Sequence, residues 1–138
     1  MNHYTFDEIE IGMTESFTTT VTKEKHEAFT SMSGDVNPMH MSDEYSKENG
    51  YDNRLVYGML TASFYSTLVG VYLPGEYCIF HEIDSKFNAP VYIGDNLTVV
   101  GKVIDKHDVF RRVKIKAHIL NDKGKKVSMA TLTVGVRK

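Results

Sequence analysis

The chain has 138 residues, of which 41% are apolar, 25% are charged and 11% are aromatic. A chain of this size and composition can bury its own core, so we expect one domain spanning residues 1–138. The net charge of −2 argues against a nucleic-acid partner, which requires a basic surface. The one cysteine, Cys78, excludes an intrachain disulfide and a cysteine-rich zinc site, and we expect it to be a small buried residue.

Neither a signal peptide nor a membrane span is apparent in the sequence. The first eight residues lack the basic start and apolar run of a secretory signal. The longest uncharged stretch, residues 59–73, contains several hydroxyl side chains and ends at Pro74-Gly75. We therefore expect a cytoplasmic protein with no membrane partner, in which this stretch is a buried helix.

The N-terminal half mixes strand and helix patterns. Residues 15–21 are rich in threonine, which favours a strand. Thr22 is a typical helix N-cap, and the glycine and proline of residues 34–38 predict where that helix ends. Ser42 predicts the cap of a second, short helix over residues 43–49, whose first turn is acidic.

The strongest helical pattern lies at residues 59–72, and it is followed only by strand patterns. Apolar residues occupy all sides of this helix, which is typical of a buried one. The predicted strands span residues 77–89, 97–103, 113–120 and 127–133. In the third, apolar residues alternate with lysines, so one face of the sheet is solvated and the other must cover the helix. The patterns predict an α+β fold in which an antiparallel sheet wraps around a long central helix.

An acid and an imidazole lie five residues apart in the segment Ser33-Gly-Asp35-Val-Asn37-Pro38-Met-His40. Pro38 fixes its own φ and keeps Asn37 out of the helical region, which stiffens the turn. Such a turn can aim Asp35 and His40 into one cavity, where they could hold and polarise a water at neutral pH. The same spacing also occurs in ordinary proline turns, so the residues alone leave both interpretations open.

The segment from Phe29 to His40, followed by Ser46, resembles the hydratase 2 signature of MaoC-like (R)-specific enoyl-CoA hydratases. Two more features resemble that family and occur in its order: Gly58-Met-Leu-Thr-Ala-Ser, and Phe87-Asn-Ala-Pro-Val-Tyr-Ile-Gly-Asp95. The resemblance covers about residues 6–136. It implies a hot-dog domain, in agreement with the architecture that the patterns predict.

The resemblance implies roles for individual residues. Asp35 and His40 would hold a water that adds to a trans-2-enoyl thioester and gives the (R)-3-hydroxyacyl product. The backbone N–H of Gly58 would bind the thioester oxygen as negative charge develops there, although a glycine can also simply begin a helix. Ser66 would line the pocket, or it could serve only as a small residue in helix packing. Asn37 would shape the loop together with the proline that follows it.

One position departs from the family pattern. Tyr57 stands where these hydratases usually carry histidine. Tyrosine can still donate a hydrogen bond and line a substrate pocket, but it cannot ionise as imidazole does. We expect Tyr57 to leave the chemistry of Asp35 and His40 intact and to alter the range of acyl chains.

The family chemistry needs neither a cofactor nor a metal. His81 and Glu82 are expected on opposite faces of a strand, which disfavours a metal site there, and the remaining histidines are expected on the surface. The substrate carrier would be CoA in preference to acyl carrier protein. The family also implies a homodimer or a higher homo-oligomer.

Two alternatives remain open for the activity. One is a hot-dog acyl-CoA thioesterase, which would hydrolyse the thioester. The other is a non-catalytic module that binds an acyl thioester and has no need of Asp35. The Asp35–His40 arrangement disfavours both.

Overall fold

The computed structural model describes residues 1–138 and contains five strands. They are β1 Thr14–Thr20, β2 Cys78–Phe87, β3 Asn96–His107, β4 Arg112–Leu120 and β5 Lys126–Val136. All pair antiparallel in one sheet of order β1-β3-β4-β5-β2. The sequence patterns predict all five strands, although β3 and β5 extend several residues further than expected.

Four helices precede most of the sheet. They are α1 Lys23–Ser33, α2 Pro38–Met41, α3 Asp43–Glu48 and α4 Gly58–Thr67, which continues as a π-helical turn at Leu68–Tyr72. The predicted caps are present: Thr22 accepts from the Lys25 N–H, and Ser42 accepts from the Tyr45 N–H. The sequence does not predict α2, because this helix is only four residues long and the glycine and proline of residues 34–38 favour a turn. None of the helices has the length and apolar character needed to cross a membrane.

The sheet curls around one side of α4, which confirms the predicted hot-dog architecture. In β4, Val113, Ile115, Ala117 and Ile119 are buried on the inner face, while the lysines between them are exposed. On the neighbouring strand β3, Gly101 allows the continuation of α4 to approach the sheet closely, because a Cβ at this position would lie 2.7 Å from Cδ2 of Leu68. The core is a single cluster of 25 buried apolar residues.

The central helix is not buried on all sides in the single chain, which corrects the prediction made for residues 59–72. Met59 is 65% exposed, and Ser63 and Ser66 on the same side of the helix are exposed as well. The reason is geometric, because the sheet covers only one side of α4. We call this uncovered side, defined by Met59, Ser63 and Ser66, the open face of α4.

Candidate active site

The loop between α1 and α2 is built from short side-chain to backbone hydrogen bonds. Gly34 ends α1 in the left-handed region, with φ 73°. The Asp35 carboxylate accepts from the Asn37 N–H at 3.1 Å. The Asn37 side chain then accepts from the Met39 N–H at 2.9 Å, and Pro38 occupies the first turn of α2. These contacts hold the loop in the shape that carries His40.

His40 lies in α2 and has one ring nitrogen already engaged. Its Nδ1 is 2.7 Å from the carbonyl oxygen of Leu55. A carbonyl can only accept, so Nδ1 carries the hydrogen and Nε2 of the neutral ring carries a free lone pair. The contact therefore leaves Nε2 able to accept a proton or to hold a water.

Tyr57 contacts both Asp35 and His40. Its side chain is only 2% exposed, and its hydroxyl donates to the backbone carbonyl of Asp35 at 2.6 Å. Its ring stacks on the His40 imidazole with the centroids 4.0 Å apart. The phenol group is thus hydrogen-bonded inside the protein, and the predicted effect of Tyr57 on the range of acyl chains stays a prediction.

A buried histidine that the sequence analysis overlooked completes this cluster. The expectation that His26 lies on the surface is wrong: the residue is 2% exposed, and its Nε2 is 2.9 Å from the His40 carbonyl oxygen. Thr30, one turn further along α1, has its Oγ1 2.7 Å from the Tyr57 hydroxyl. The spacing of four residues between His26 and Thr30 on one helix face is the signal that could have indicated both.

A pocket of about 430 Å³ lies between α2, the first turn of α4 and the end of β2. His40 and Gly58 both line it, and the other walls are mainly apolar, including Tyr51, Leu55, Val56, Phe87, Pro90 and Val91. No protein group accepts from the Gly58 N–H, and the Tyr57 side chain makes no capping hydrogen bond to the helix. The pocket thus combines a proton acceptor with an unpartnered N–H at the positive end of a helix.

Besides Tyr57, two of the predicted catalytic and binding residues lie outside the walls of this pocket in the single chain. Asp35 is exposed in its loop, although its backbone is bound to Tyr57. Ser66 is exposed on the open face of α4, about two helical turns beyond Gly58. The structure therefore places His40 and Gly58 together and connects Asp35 to His40 through Tyr57.

Neither Cys78 nor the neighbouring residues His81 and Glu82 form a second site of the kinds that the sequence analysis considered. Burial raises the pKa of the Cys78 thiol to about 11, so this half-buried group is protonated at neutral pH. His81 and Glu82 are both exposed at a β-bulge in β2. No three His, Cys, Asp or Glu side chains gather in a way that could hold a metal ion. That the reaction uses no metal stays a prediction.

This fold and this site agree with a family assignment made by comparison. The chain belongs to the MaoC-like domain family, whose model matches residues 8–124. It is 36% identical over 108 residues to an (R)-specific enoyl-CoA hydratase of Rhodospirillum rubrum, a match that covers 75% of this chain and 74% of that protein. It is 29% identical to a 3-hydroxybutyryl-CoA dehydratase of Methylorubrum extorquens, over 80% of this chain and 70% of the relative.

Solved structures support the same assignment. The R-hydratase PhaJ1 from Pseudomonas aeruginosa superposes with a TM-score of 0.90 at 27% identity, over 97% of this chain and 86% of that one. The (R)-hydratase from Aeromonas caviae superposes with a TM-score of 0.88 at 25% identity, over 93% and 97% of the two chains. The family predicted from the signature residues is confirmed.

Proposed function

We propose that this protein reversibly hydrates a trans-2-enoyl thioester to the (R)-3-hydroxyacyl thioester. The observation that carries the proposal is the pocket in which Nε2 of His40 is free to accept a proton while the Gly58 N–H is free to donate. Family membership and the names of the relatives support the same reaction class. CoA is favoured as the carrier, because the relatives that match 75% and 80% of the chain are both named for CoA thioesters.

The proposed reaction begins with one water held between Asp35 and His40. Asp35 acts mainly as the base: it takes a proton from the water while the water oxygen bonds to the β-carbon of the enoyl group. Electron density moves to the thioester oxygen, where the Gly58 N–H stabilises the developing negative charge. The proton that Asp35 took, shared with Nε2 of His40, is then delivered to the α-carbon, which returns both groups to their starting state, so the net change is the addition of H and OH. Removal of water from the product follows the same steps in reverse.

The reaction would need neither a cofactor nor a metal, because all proton movements use protein side chains and water. The apolar walls suit the acyl chain, which they would keep away from bulk water. Phe87 lies close to the proposed oxyanion donor: its ring would be 3.3 Å from a Cβ at Gly58. A side chain at position 58 would therefore narrow the pocket where the thioester must approach the backbone.

The working form is proposed to be a homodimer formed at the β2 edge. Ile83 and Phe87 pair with Leu132 and Ser128, which are both fully buried, so all four lie on the inner face of the sheet. Yet Ile83 is 45% exposed and Phe87 is 52% exposed. They lie on β2, a strand of ten residues that pairs with β5 on one side and has no partner on its outer edge. A second copy would cover this strand and the open face of α4 together, and would enclose Ser66 beside the site.

The test is the loss of enoyl-thioester absorbance when the purified protein is added to crotonyl-CoA. We expect His40→Ala and Asp35→Asn each to lower kcat by about 10²-fold or more, because each removes a group that moves the proton. Asp35→Asn keeps an oxygen that can accept from the Asn37 N–H, so the loop is retained. His107→Ala and Asp108→Asn, two exposed positions outside the pocket and away from β2, are the matched controls and should retain full activity.

Chiral analysis of the product completes the test, because the proposal requires the (R)-3-hydroxy acid. Release of free CoA without a hydroxy product would favour the thioesterase alternative. Tight binding of acyl-CoA without turnover, unaffected by Asp35→Asn, would favour the binding module.

A further inference from the structure

The position of Tyr57 between the two proposed catalytic groups suggests a function for this residue. We propose that Tyr57 is a positioning residue that holds the Asp35 loop and the His40 ring at the separation needed to share one water. This inference rests on the proposed function and extends it to a side chain that does not touch substrate. Tyr57 is 2% exposed and does not line the pocket of the single chain.

The phenol hydroxyl is fully used in holding the loop. It donates its hydrogen to the Asp35 carbonyl at 2.6 Å, since a carbonyl cannot donate. Thr30 Oγ1 lies 2.7 Å from the same phenol oxygen and 3.1 Å from the His26 carbonyl oxygen, so the single Thr30 hydrogen is available to both of these acceptors. The hydroxyl thus links α1, the Asp35 loop and the start of α4 through a continuous chain of hydrogen bonds.

The ring of Tyr57 holds His40 from one side. The two ring centroids are 4.0 Å apart, and Phe29 and His26 pack against the same tyrosine ring with centroid distances of 4.8 Å each. His26 also donates from Nε2 to the His40 carbonyl, while the His40 Nδ1–H donates to Leu55. The imidazole is therefore fixed at its face, at its backbone and at one ring nitrogen.

These contacts matter because a water can bridge a carboxylate and an imidazole only over a narrow range of separations. Asp35 lies in an exposed loop, and its own side chain bonds only to a neighbouring backbone N–H. Tyr57 is the side chain that contacts both the Asp35 backbone and the His40 ring. A displacement of about 1 Å in such a site can lower the rate by about 10²-fold, so loss of one positioning hydrogen bond should reduce kcat.

The first experiment removes only the hydroxyl, with Tyr57→Phe. We expect kcat for crotonyl-CoA hydration to fall about tenfold while KM changes by less than about twofold, because the ring stack and the pocket walls remain. Tyr65→Phe is the matched control. Tyr65 is also a fully buried tyrosine of α4, and its hydroxyl donates to Ser128 at 2.9 Å, outside the His40 cluster. Tyr65→Phe should lower the Tm about as much as Tyr57→Phe does, but it should leave kcat unchanged.

A second readout does not depend on turnover. Amide hydrogen exchange at Asn37, Met39, His40 and Met41 should accelerate by about tenfold in Tyr57→Phe and stay unchanged in Tyr65→Phe, because only the former frees the loop. Thr30→Val removes the hydrogen bond on the other side of the phenol and keeps Tyr57 intact. This variant should show the same effects to a smaller extent, and it replaces Tyr57→Phe if that variant does not fold.

The outcomes separate this inference from the proposed function. A kcat for Tyr57→Phe within twofold of the wild type, or an equal loss in Tyr65→Phe, overturns the positioning role. A wild-type protein that does not consume crotonyl-CoA overturns the proposed function. In that case the exchange rates alone decide whether Tyr57 holds the loop.

Discussion

The tautomer of the neutral His40 ring is set by a single backbone oxygen. The Leu55 carbonyl accepts from Nδ1 at 2.7 Å, which selects the neutral tautomer with hydrogen on Nδ1. Leu55 lies 15 residues further along the chain, in the segment that leads into α4. The proposed chemistry depends on this contact, since the opposite tautomer would present an N–H where a proton acceptor is needed.

We predict that two-bond ¹H–¹⁵N spectra above the imidazole pKa will show Nδ1 of His40 as the protonated nitrogen. His107, which is exposed and whose Nδ1 accepts from the Phe110 N–H, is the internal control and should show the opposite tautomer, with hydrogen on Nε2. A His40 spectrum matching that of His107 would contradict the proposed arrangement.

The ion pair between Asp43 and Arg54 anchors the loop that precedes α4. Asp43 Oδ1 accepts from both the backbone N–H and the Nε–H of Arg54, at 2.9 and 3.1 Å, and these hydrogen bonds lower the pKa of the Asp43 carboxyl. A carboxyl whose pKa is lower in the folded state stabilises the fold above the pKa of the unfolded chain. This stabilisation is lost as the pH falls through the folded-state value.

We therefore predict that Asp43→Asn lowers the free energy of unfolding at pH 7 by up to about 1 kcal/mol, as expected for a solvent-accessible pair. The difference from the wild type should begin to shrink below about pH 4, the ordinary aspartate pKa, and should disappear below the lower pKa of the folded state. Urea unfolding at several pH values measures this, with Asp108→Asn as the exposed control. A difference that persists at pH 2 would show that the carboxylate charge is not the cause.

At the scale of elements, the contact between α4's continuation and β3 depends on a glycine. Gly101 is buried, and a Cβ there would lie 2.7 Å from Leu68 Cδ2 and 3.0 Å from Ile115 Cγ2. Leu68 and Ile115 are both fully buried, so neither side chain can move aside easily. The distance between the central helix and the sheet is therefore set by the absence of a side chain.

We predict that Gly101→Ala destabilises the protein by about 1–3 kcal/mol, the usual cost of overpacking a core. Gly70→Ala is the matched control, since no atom lies within 4 Å of a Cβ there and its φ is not positive. Equilibrium urea unfolding with unchanged m-values compares the two. Equal midpoints for both variants would mean that the sheet and the helix can separate at little cost.

At the scale of the whole molecule, the single chain leaves an apolar surface open beside its pocket. The open face of α4 and the inner face of β2 adjoin, and Met59, Ile83 and Phe87 are exposed there. Exposed apolar side chains on an unpaired edge strand favour association. We expect this surface to be buried between two copies, which would also bring Ser66 into an enclosed site.

We predict that the protein has twice its chain mass of 15.7 kDa in sedimentation at micromolar concentration. Ile83→Glu should shift it to the monomer, because the charge would be buried in the interface. Ile104→Glu is the control: Ile104 is 42% exposed on β3, which β4 and β5 separate from the β2 edge. A monomeric wild type, or equal effects of both substitutions, would contradict a dimer at this edge.

The sequence by itself determined the strands, the central helix, the helix caps and the family. Those features depend on local chemistry, such as period-two alternation in β4 and the Ser42 cap, and on the signature around Asp35 and His40. What it could not determine are the contacts between distant segments. The His40 tautomer, the burial of His26 and the inward phenol of Tyr57 each depend on an atom at least 14 residues away.

The open face of α4 shows the same limit at a larger scale. An apolar pattern predicts that a helix is buried, but it does not predict which element or partner chain covers each of its sides. The tertiary structure decided that the sheet covers only one side, because five strands curl around part of the helix surface. Local patterns thus specify the elements, whereas the packing of elements specifies which groups meet in the site.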